Sequence, residues 1–154
     1  MLPISFPRPA QPIGIFSILY QVVQVLISCV FSPTPPKIPN DEEPLGRVAI
    51  IGAGITGISS AAHLIAAGFE VAIFDENENI GGIWSRVNST SVLQINSIMY
   101  RWFPAVKYTE GYPRRDEILD NVKKIWKRYH LERRTRFKVS SSCGLCLAQS
   151  KVPR

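Results

Sequence analysis

Three glycines and one carboxylate in the middle of the chain have the types and the spacing that bind a dinucleotide. Gly52, Gly54 and Gly57 form the pattern G-x-G-x-x-G, and Asp75 follows Gly57 by 18 positions. In such a pattern the first glycine allows a tight turn, the second lets the backbone approach a pyrophosphate, and the third lets a helix pack closely on a strand. The carboxylate can accept hydrogen bonds from ribose hydroxyl groups, whereas its charge repels a 2′-phosphate.

The elements around the glycines would hold them at a phosphate group. Apolar runs of strand length occupy residues 47–51 and 69–74, and residues 58–67 between them have a helical pattern that Gly68 ends. The first N–H groups of a helix have no partner within it, so they attract an anion at the positive end of the helix dipole. The order of elements predicts a nucleotide-binding β-α-β unit. The alternative is an ordinary β-α-β turn that binds nothing.

A second glycine pair narrows the choice of nucleotide. Gly81-Gly82-Ile83-Trp84 follows Asp75 within a few residues, and a strand-end acid followed by Gly-Gly resembles the FAD-binding signature of flavoproteins with two dinucleotide domains. More narrowly, the stretch is similar to the flavin-containing monooxygenases, in which the acid is usually Glu. The resemblance implies the α/β fold class, with an incomplete Rossmann-like FAD-binding domain on a doubly wound parallel sheet. It makes Gly82 and Trp84 further cofactor-binding residues, and the shorter Asp75 is expected to weaken the ribose contact.

The segment after Trp84 supplies the candidate catalytic residue. The family carries an asparagine beside the isoalloxazine ring at this distance from the glycine pair, and Asn96 is the matching position. The alternative is that Asn96 is a turn residue that caps the next segment. Residues 112–119 also resemble the start of a family helix, and the apolar stripe of that helix is predicted to face a core. The stripe consists of Ile118, Leu119, Val122, Ile125, Trp126 and Tyr129.

The resemblance covers residues 45–138 and implies the opening, FAD-binding part of an NADPH-dependent monooxygenase. In that family NADPH reduces FAD, and a flavin hydroperoxide then oxygenates a small nucleophilic or ketone substrate. The cofactors implied are therefore FAD and NADPH, with the NADPH site not contained in this chain. Two other functions stay open, namely a different FAD-dependent oxidoreductase and a non-catalytic, membrane-anchored nucleotide-binding fragment.

The first 44 residues differ in composition from the predicted domain. No charged residue lies between Arg8 and Lys37, and residues 13–31 contain twelve Ile, Leu, Val or Phe. This length and composition predict a hydrophobic membrane-anchor helix, followed by a proline-rich linker. A cleaved secretory signal and a buried or partner-packed helix are the alternatives, because four polar residues share one helical face. The anchor implies membrane lipid as a partner and localisation at the endoplasmic reticulum, with the domain facing the cytosol.

The charge of the chain falls mainly on the predicted helix after residue 111. Residues 101–138 contain twelve Lys or Arg against five Asp or Glu, and the net charge of the chain is +6. No nucleic-acid motif accompanies these charges, so a solvated face beside anionic lipid headgroups is favoured over nucleic-acid binding. Residues 139–154 have no helical or strand period and are predicted to be an irregular tail from an altered reading frame. Its Cys143 and Cys146 form a lone C-x-x-C, and no metal site is expected.

Overall fold

The chain forms three helices and three short strands, and the computed structural model describes residues 15–36, 43–97 and 99–139. The predicted tail and most of the predicted linker lie outside the described residues. The elements, in chain order, are α1 (Ile15–Phe31), β1 (Arg47–Ile51), α2 (Ile55–Ala66), β2 (Glu70–Phe74), a first 3-10 turn (Gly82–Ser85), α3 (Arg115–Arg128), a second 3-10 turn (Leu131–Arg134) and β3 (Thr135–Arg136).

The strands form one parallel sheet in the order β1-β2-β3. Arg47 lies opposite Glu70 at one end of the first pair, and Ile51 lies opposite Phe74 at the other. Parallel neighbours need a crossover connection, which α2 supplies between β1 and β2 and the segment containing α3 supplies between β2 and β3. The predicted α/β class with a parallel sheet is confirmed.

The core forms where the two crossover helices meet the sheet. Helix α2 packs on β1, on β2 and on α3. The apolar stripe predicted for α3 faces this core as expected, because its spacing of three and four places it on one side of the helix. The buried apolar side chains of α2, β2 and α3 are Ile58, Ala61, Ala62, Ile65, Val71, Ile73, Ile118, Val122 and Ile125.

Helix α1 is held to the domain by its polar side chains. Gln24 is fully buried; its Nε2 donates to the Tyr108 carbonyl oxygen at 3.4 Å, and its Oε1 accepts the Tyr108 N–H at 3.1 Å. One turn earlier, the Tyr20 hydroxyl lies 2.7 Å from Ser97 Oγ. A buried amide needs such partners, so these contacts fix which side of α1 faces the domain.

The apolar side of α1 therefore faces outward. The exposed residues that stand opposite Gln24 on the helix are Ile15, Ile18, Leu19, Val22 and Leu26. Surface helices of globular proteins ordinarily turn their apolar stripe to the core, so the orientation of α1 is reversed. Of the alternatives weighed for this segment, the structure places it as a helix packed against the domain.

The prediction of a membrane-spanning helix is wrong for the part of the chain that the structure describes. No helix there is long and apolar enough to cross a bilayer. Helix α1 has 17 residues, and at a rise of about 1.5 Å per residue it is shorter than the roughly 30 Å of a hydrocarbon core.

Candidate dinucleotide-binding site

The first glycine turn connects β1 to α2 across the end of β2. Gly52 has a φ of +99°, a conformation that side chains disfavour. Its N–H donates to the Phe74 carbonyl oxygen at 2.7 Å, which holds the turn against β2. A Cβ on Gly57 would lie only 1.9 Å from the Gly52 carbonyl oxygen, so the start of α2 can pack on the turn only because residue 57 is glycine.

The N-terminus of α2 opens from this turn. Gly54 is the N-cap residue, its backbone is extended, and no side chain caps this end of the helix. The Gly54 carbonyl oxygen accepts the Ile58 N–H at 3.0 Å, which starts the helix. The N–H groups of the first turn lack acceptors within the helix and carry the positive end of its dipole, so they favour an anionic group placed before α2.

A second glycine turn faces the first. Gly81 and Gly82 both have positive φ, at +110° and +56°, and the Gly81 N–H donates to the Ala53 carbonyl oxygen at 2.9 Å. A Cβ on Gly82 would lie 3.1 Å from the Gly54 Cα, and a Cβ on Gly54 would lie 3.7 Å from the Gly82 Cα. The two turns thus meet backbone to backbone with no side chain between them. That cradle fits the pyrophosphate of a dinucleotide.

Asp75 lies at the end of β2 with its carboxylate directed at the first glycine turn. Its Oδ2 accepts the Ala53 N–H at 2.5 Å, and its Oδ1 accepts the N–H and the Nδ2 of Asn77, both at 2.7 Å. Burial raises the pKa of the Asp75 carboxyl, but hydrogen bonds from Ala53 and Asn77 and the charge of Arg86 outweigh that effect. The resulting pKa is lower than usual, so the carboxylate is ionised at neutral pH.

Asn77 connects Asp75 to a cation that follows the second glycine turn. Its Oδ1 accepts a hydrogen bond from Arg86 Nη2. Arg86 also lies 3.6 Å from Glu76 Oε1. A chain of side chains therefore runs from the first glycine turn, through the acid and the amide, to the residue that follows the 3-10 turn of Gly82–Ser85.

Trp84 belongs to that 3-10 turn and is half-buried. Its N–H donates to the Gly81 carbonyl oxygen at 3.1 Å, and its carbonyl oxygen accepts the Nε of Arg115, from the first residue of α3, at 3.1 Å. Ser85 Oγ donates to the Gly82 carbonyl oxygen at 2.7 Å. The turn that carries two predicted cofactor contacts is therefore held internally and from α3.

Asn96 lies on a separate segment. Its carbonyl oxygen accepts the N–H groups of Met99 at 2.9 Å and Tyr100 at 3.1 Å, which is a turn. On its side-chain side, a Cβ on Gly111 would come within 3.2 Å of the Asn96 Nδ2. The backbone thus has the turn role that was the alternative for Asn96, and the catalytic role beside a flavin stays a prediction.

The structure brings five of the predicted residues together, namely Gly52, Gly54, Gly57, Asp75 and Gly82, with Trp84 on the same turn as Gly82. Sequence reasoning missed Ala53, Asn77, Arg86 and Arg115, which hold the acid and the second turn. An asparagine two positions after an aspartate is a common partner in an Asx turn, so Asn77 could have been found from its spacing. The contacts of Arg86 and Arg115 depend on the fold.

The fold and the site define a dinucleotide-binding α/β protein. The chain belongs to the FAD dependent oxidoreductase family (DAO), whose sequence model matches residues 47–143. FAD as the cofactor of the family is thereby confirmed, and so is the resemblance to flavin-containing monooxygenases, through the similarities that follow.

Known relatives and solved structures are similar to parts of the chain. Flavin-containing monooxygenase ustF1 of Aspergillus flavus is 65% identical over 37 residues, which cover 24% of this chain and 9% of that protein. A 4,4′-diapophytoene desaturase of Staphylococcus aureus is 44% identical over 41 residues, covering 27% of this chain and 8% of the relative. The structure of OTEMO in complex with FAD and NADP superposes with a TM-score of 0.53 at 26% identity, covering 63% of this chain and 19% of the other. The chain thus spans less than a fifth of the length of each.

Proposed function

We propose that this chain is the FAD-binding portion of an NADPH-dependent flavin monooxygenase that oxygenates a small nucleophilic or ketone substrate. The observation that carries the proposal is the backbone-to-backbone meeting of Gly54 and Gly82 in front of the uncapped start of α2. A pyrophosphate between two such turns meets N–H donors and no side chain. Bound FAD would supply the electron and oxygen chemistry.

The residues of this chain would bind and orient the cofactor. The start of α2 would take the pyrophosphate, Asp75 would accept a ribose hydroxyl group, and the turn with Trp84 would lie along the dinucleotide. Asn96 is the candidate for contact with the flavin ring. The NADPH site and the substrate site would lie outside this chain, which spans 9% of ustF1 and 19% of the OTEMO chain.

FAD titration of the full chain tests the first part of the proposal. Quenching of flavin fluorescence and a shifted visible spectrum are expected for the wild-type chain. Gly54→Val should lose both, and Gly46→Ala is the matched control because its Cβ would only reach ordinary contact with Phe69 at 3.6 Å. Wild-type and Gly54→Val chains that behave alike would overturn the assignment of this turn.

A chimera tests the monooxygenase part. Residues 45–138 would replace the corresponding segment of ustF1, with which the chain shares 65% identity over 37 residues. We expect the chimera to retain FAD and to oxidise NADPH with uptake of oxygen. A chimera that retains FAD without oxidising NADPH would favour another FAD-dependent oxidoreductase, such as the class of the similar desaturase, or a non-catalytic binding fragment.

We also propose that α1 brings the domain to an anionic membrane surface, with its apolar stripe in the lipid. Helix α1 contains no charged residue, and its outward stripe stands opposite the Gln24 contact. The exposed side chains of Lys107 and Arg128 neighbour Tyr108 and Tyr129; Tyr108 bonds Gln24, and the Tyr129 hydroxyl donates to the Pro33 carbonyl oxygen just after α1. Such cations suit anionic headgroups. Localisation at the endoplasmic reticulum with the domain facing the cytosol stays a proposal.

A further inference from the structure

Asn77 is placed to control the Asp75 carboxylate. A carboxylate offers about four acceptor positions, two on each oxygen. Asp75 Oδ1 uses two of them for the backbone N–H and the Nδ2 of Asn77, and Oδ2 uses one for the Ala53 N–H. One acceptor position is left, and it lies on Oδ2, the oxygen that also holds the first glycine turn.

The orientation of the Asn77 amide is set by its two charged neighbours. Its Nδ2 faces the Asp75 carboxylate, and its Oδ1 faces the Arg86 guanidinium. The flipped amide would put an oxygen against the carboxylate and an NH₂ group against the cation, and both contacts would be repulsive. Arg86 thus selects the orientation in which Asn77 donates to Asp75.

The remaining charges around the acid are engaged elsewhere. Lys138 Nζ lies 2.8 Å from Glu78 Oε1, and Arg136 offers its carbonyl oxygen to the Asp75 N–H at 3.0 Å. Glu76 faces Arg86 at 3.6 Å. Arg86 is therefore the cation whose charge acts on Asp75 through the Asn77 amide.

We infer that Asn77, oriented by Arg86, is the positioning residue of Asp75 and that it limits the acid to one hydrogen bond from the ribose of the dinucleotide. The inference rests on the proposed FAD-binding function and adds two residues to that site. With Asn77 in place the carboxylate cannot rotate about its bond to Cβ without breaking three hydrogen bonds. Its free acceptor position then points in one direction, towards a single ribose hydroxyl group.

The test measures FAD affinity of the full chain at pH 5 and pH 8. Asn77→Ala should weaken FAD about tenfold at both pH values, the effect of losing roughly one charge-assisted hydrogen bond. Asn77→Asp should weaken it more at pH 8 and recover partly at pH 5, because one proton shared between two carboxylates restores a donor to Asp75. A merely structural role for Asn77 would give no such recovery.

A milder variant covers the case in which the Asn77 variants do not fold. Arg86 is exposed, so Arg86→Ala leaves the core unchanged; it should weaken FAD about two- to threefold, and Arg86→Lys should restore part of that loss. In addition, 2′-deoxy-ADP and 3′-deoxy-ADP should differ as competitors of FAD, only one of them binding less tightly than ADP. Equal competition by both analogues would overturn the single hydrogen bond.

The failure of this inference is distinguishable from the failure of the proposed function. Wild-type affinity in both Asn77 variants at both pH values, with FAD lost in Gly54→Val, would overturn the role of Asn77 and leave the function standing. If the wild-type chain binds no FAD, the proposed function fails. Carbon-13 NMR titration of the Asp75 carboxyl without nucleotide then decides: a higher pKa in Asn77→Ala supports the positioning role, and an unchanged pKa overturns it.

Discussion

The backbone N–H of Ala53 donates to the Asp75 carboxylate at 2.5 Å, which ties the first glycine turn to the end of β2. Ala53 is fully buried, and its carbonyl oxygen accepts the Gly81 N–H at 2.9 Å. The peptide groups of this residue are thus held from both ends of the segment that joins the acid to the second glycine turn. Asp75 therefore shapes the site before any nucleotide binds.

Asp75→Asn should lower the stability of the ligand-free chain by roughly 1–3 kcal/mol at pH 7, because an NH₂ group would then face N–H donors. The pKa of Asp75 in the folded chain is lower than usual, so its stabilisation is present above the unfolded pKa of about 4 and is lost as the pH falls through the folded pKa. Urea unfolding from pH 7 down to pH 2 measures both effects. The difference between the two proteins should shrink towards pH 2, and a constant difference would contradict this assignment.

Asp75→Ala should weaken FAD by roughly 1–3 kcal/mol, the size of a lost hydrogen bond to a charged group. Part of that loss would come from the first glycine turn, because Ala53 also loses its acceptor. Isothermal titration calorimetry with FAD measures the change. Unaltered affinity would show that the carboxylate contacts neither the ribose nor a turn that binding requires.

Gly54→Val should abolish FAD binding with a smaller effect on folding. The branched side chain would extend from a Cβ that lies 3.7 Å from the Gly82 Cα, into the gap between the two turns. Flavin absorbance after gel filtration measures retention of the cofactor. Circular dichroism of Gly54→Val and Gly46→Ala provides the folding control, and a flavin-loaded Gly54→Val chain would disprove the cradle.

Gly57→Ala should reduce the stability of the chain itself. Its Cβ would lie 1.9 Å from the Gly52 carbonyl oxygen, which is a backbone atom, so α2 must move away from the turn. We expect a loss of roughly 1–3 kcal/mol, as for other overpacked positions, measured by thermal unfolding without FAD. Gly46→Ala should change the stability little, since its Cβ meets only ordinary contacts. Equal stability of both variants would contradict the close packing at Gly57.

Gln24→Ala should release α1 from the domain. Gln24 is fully buried and exchanges two hydrogen bonds with the Tyr108 backbone, and its loss leaves both backbone groups unpaired at a cost of roughly 1–3 kcal/mol. Gln21 is exposed on the same helix, so Gln21→Ala is the matched control. Limited proteolysis should cut after α1 faster in Gln24→Ala than in Gln21→Ala, whereas equal rates would show that the contact is weak.

The outward stripe of α1 predicts membrane association without a span. The full chain should float with vesicles that contain anionic phosphatidylserine, and a chain that starts at Asn40 should not. Leu26→Glu, on the exposed stripe, should reduce flotation, and Gln21→Glu is the control for added charge. Dimers without flotation would assign the stripe to a second copy of the chain, and neither result would leave α1 without a role at the membrane.

Local patterns in the sequence were sufficient for the β-α-β unit and for the apolar face of α3. The helical period at Ile118, Val122 and Ile125 and the glycines at 52, 54 and 57 act through geometry within a few residues of the chain, and the same constraints hold in the folded protein. The strand-end position of Asp75 follows from the same local order.

The tertiary structure decided which side of α1 is buried and what Asp75 contacts. An apolar helix with one polar face can serve several partners, and Gln24 meets Tyr108, 84 positions away, which no local pattern encodes. Asp75 was placed by its spacing but receives its shortest hydrogen bond from Ala53, 22 positions earlier. Arg86 and Arg115 likewise acquire their roles only when distant segments meet, because hydrogen bonds between them depend on the positions of whole elements.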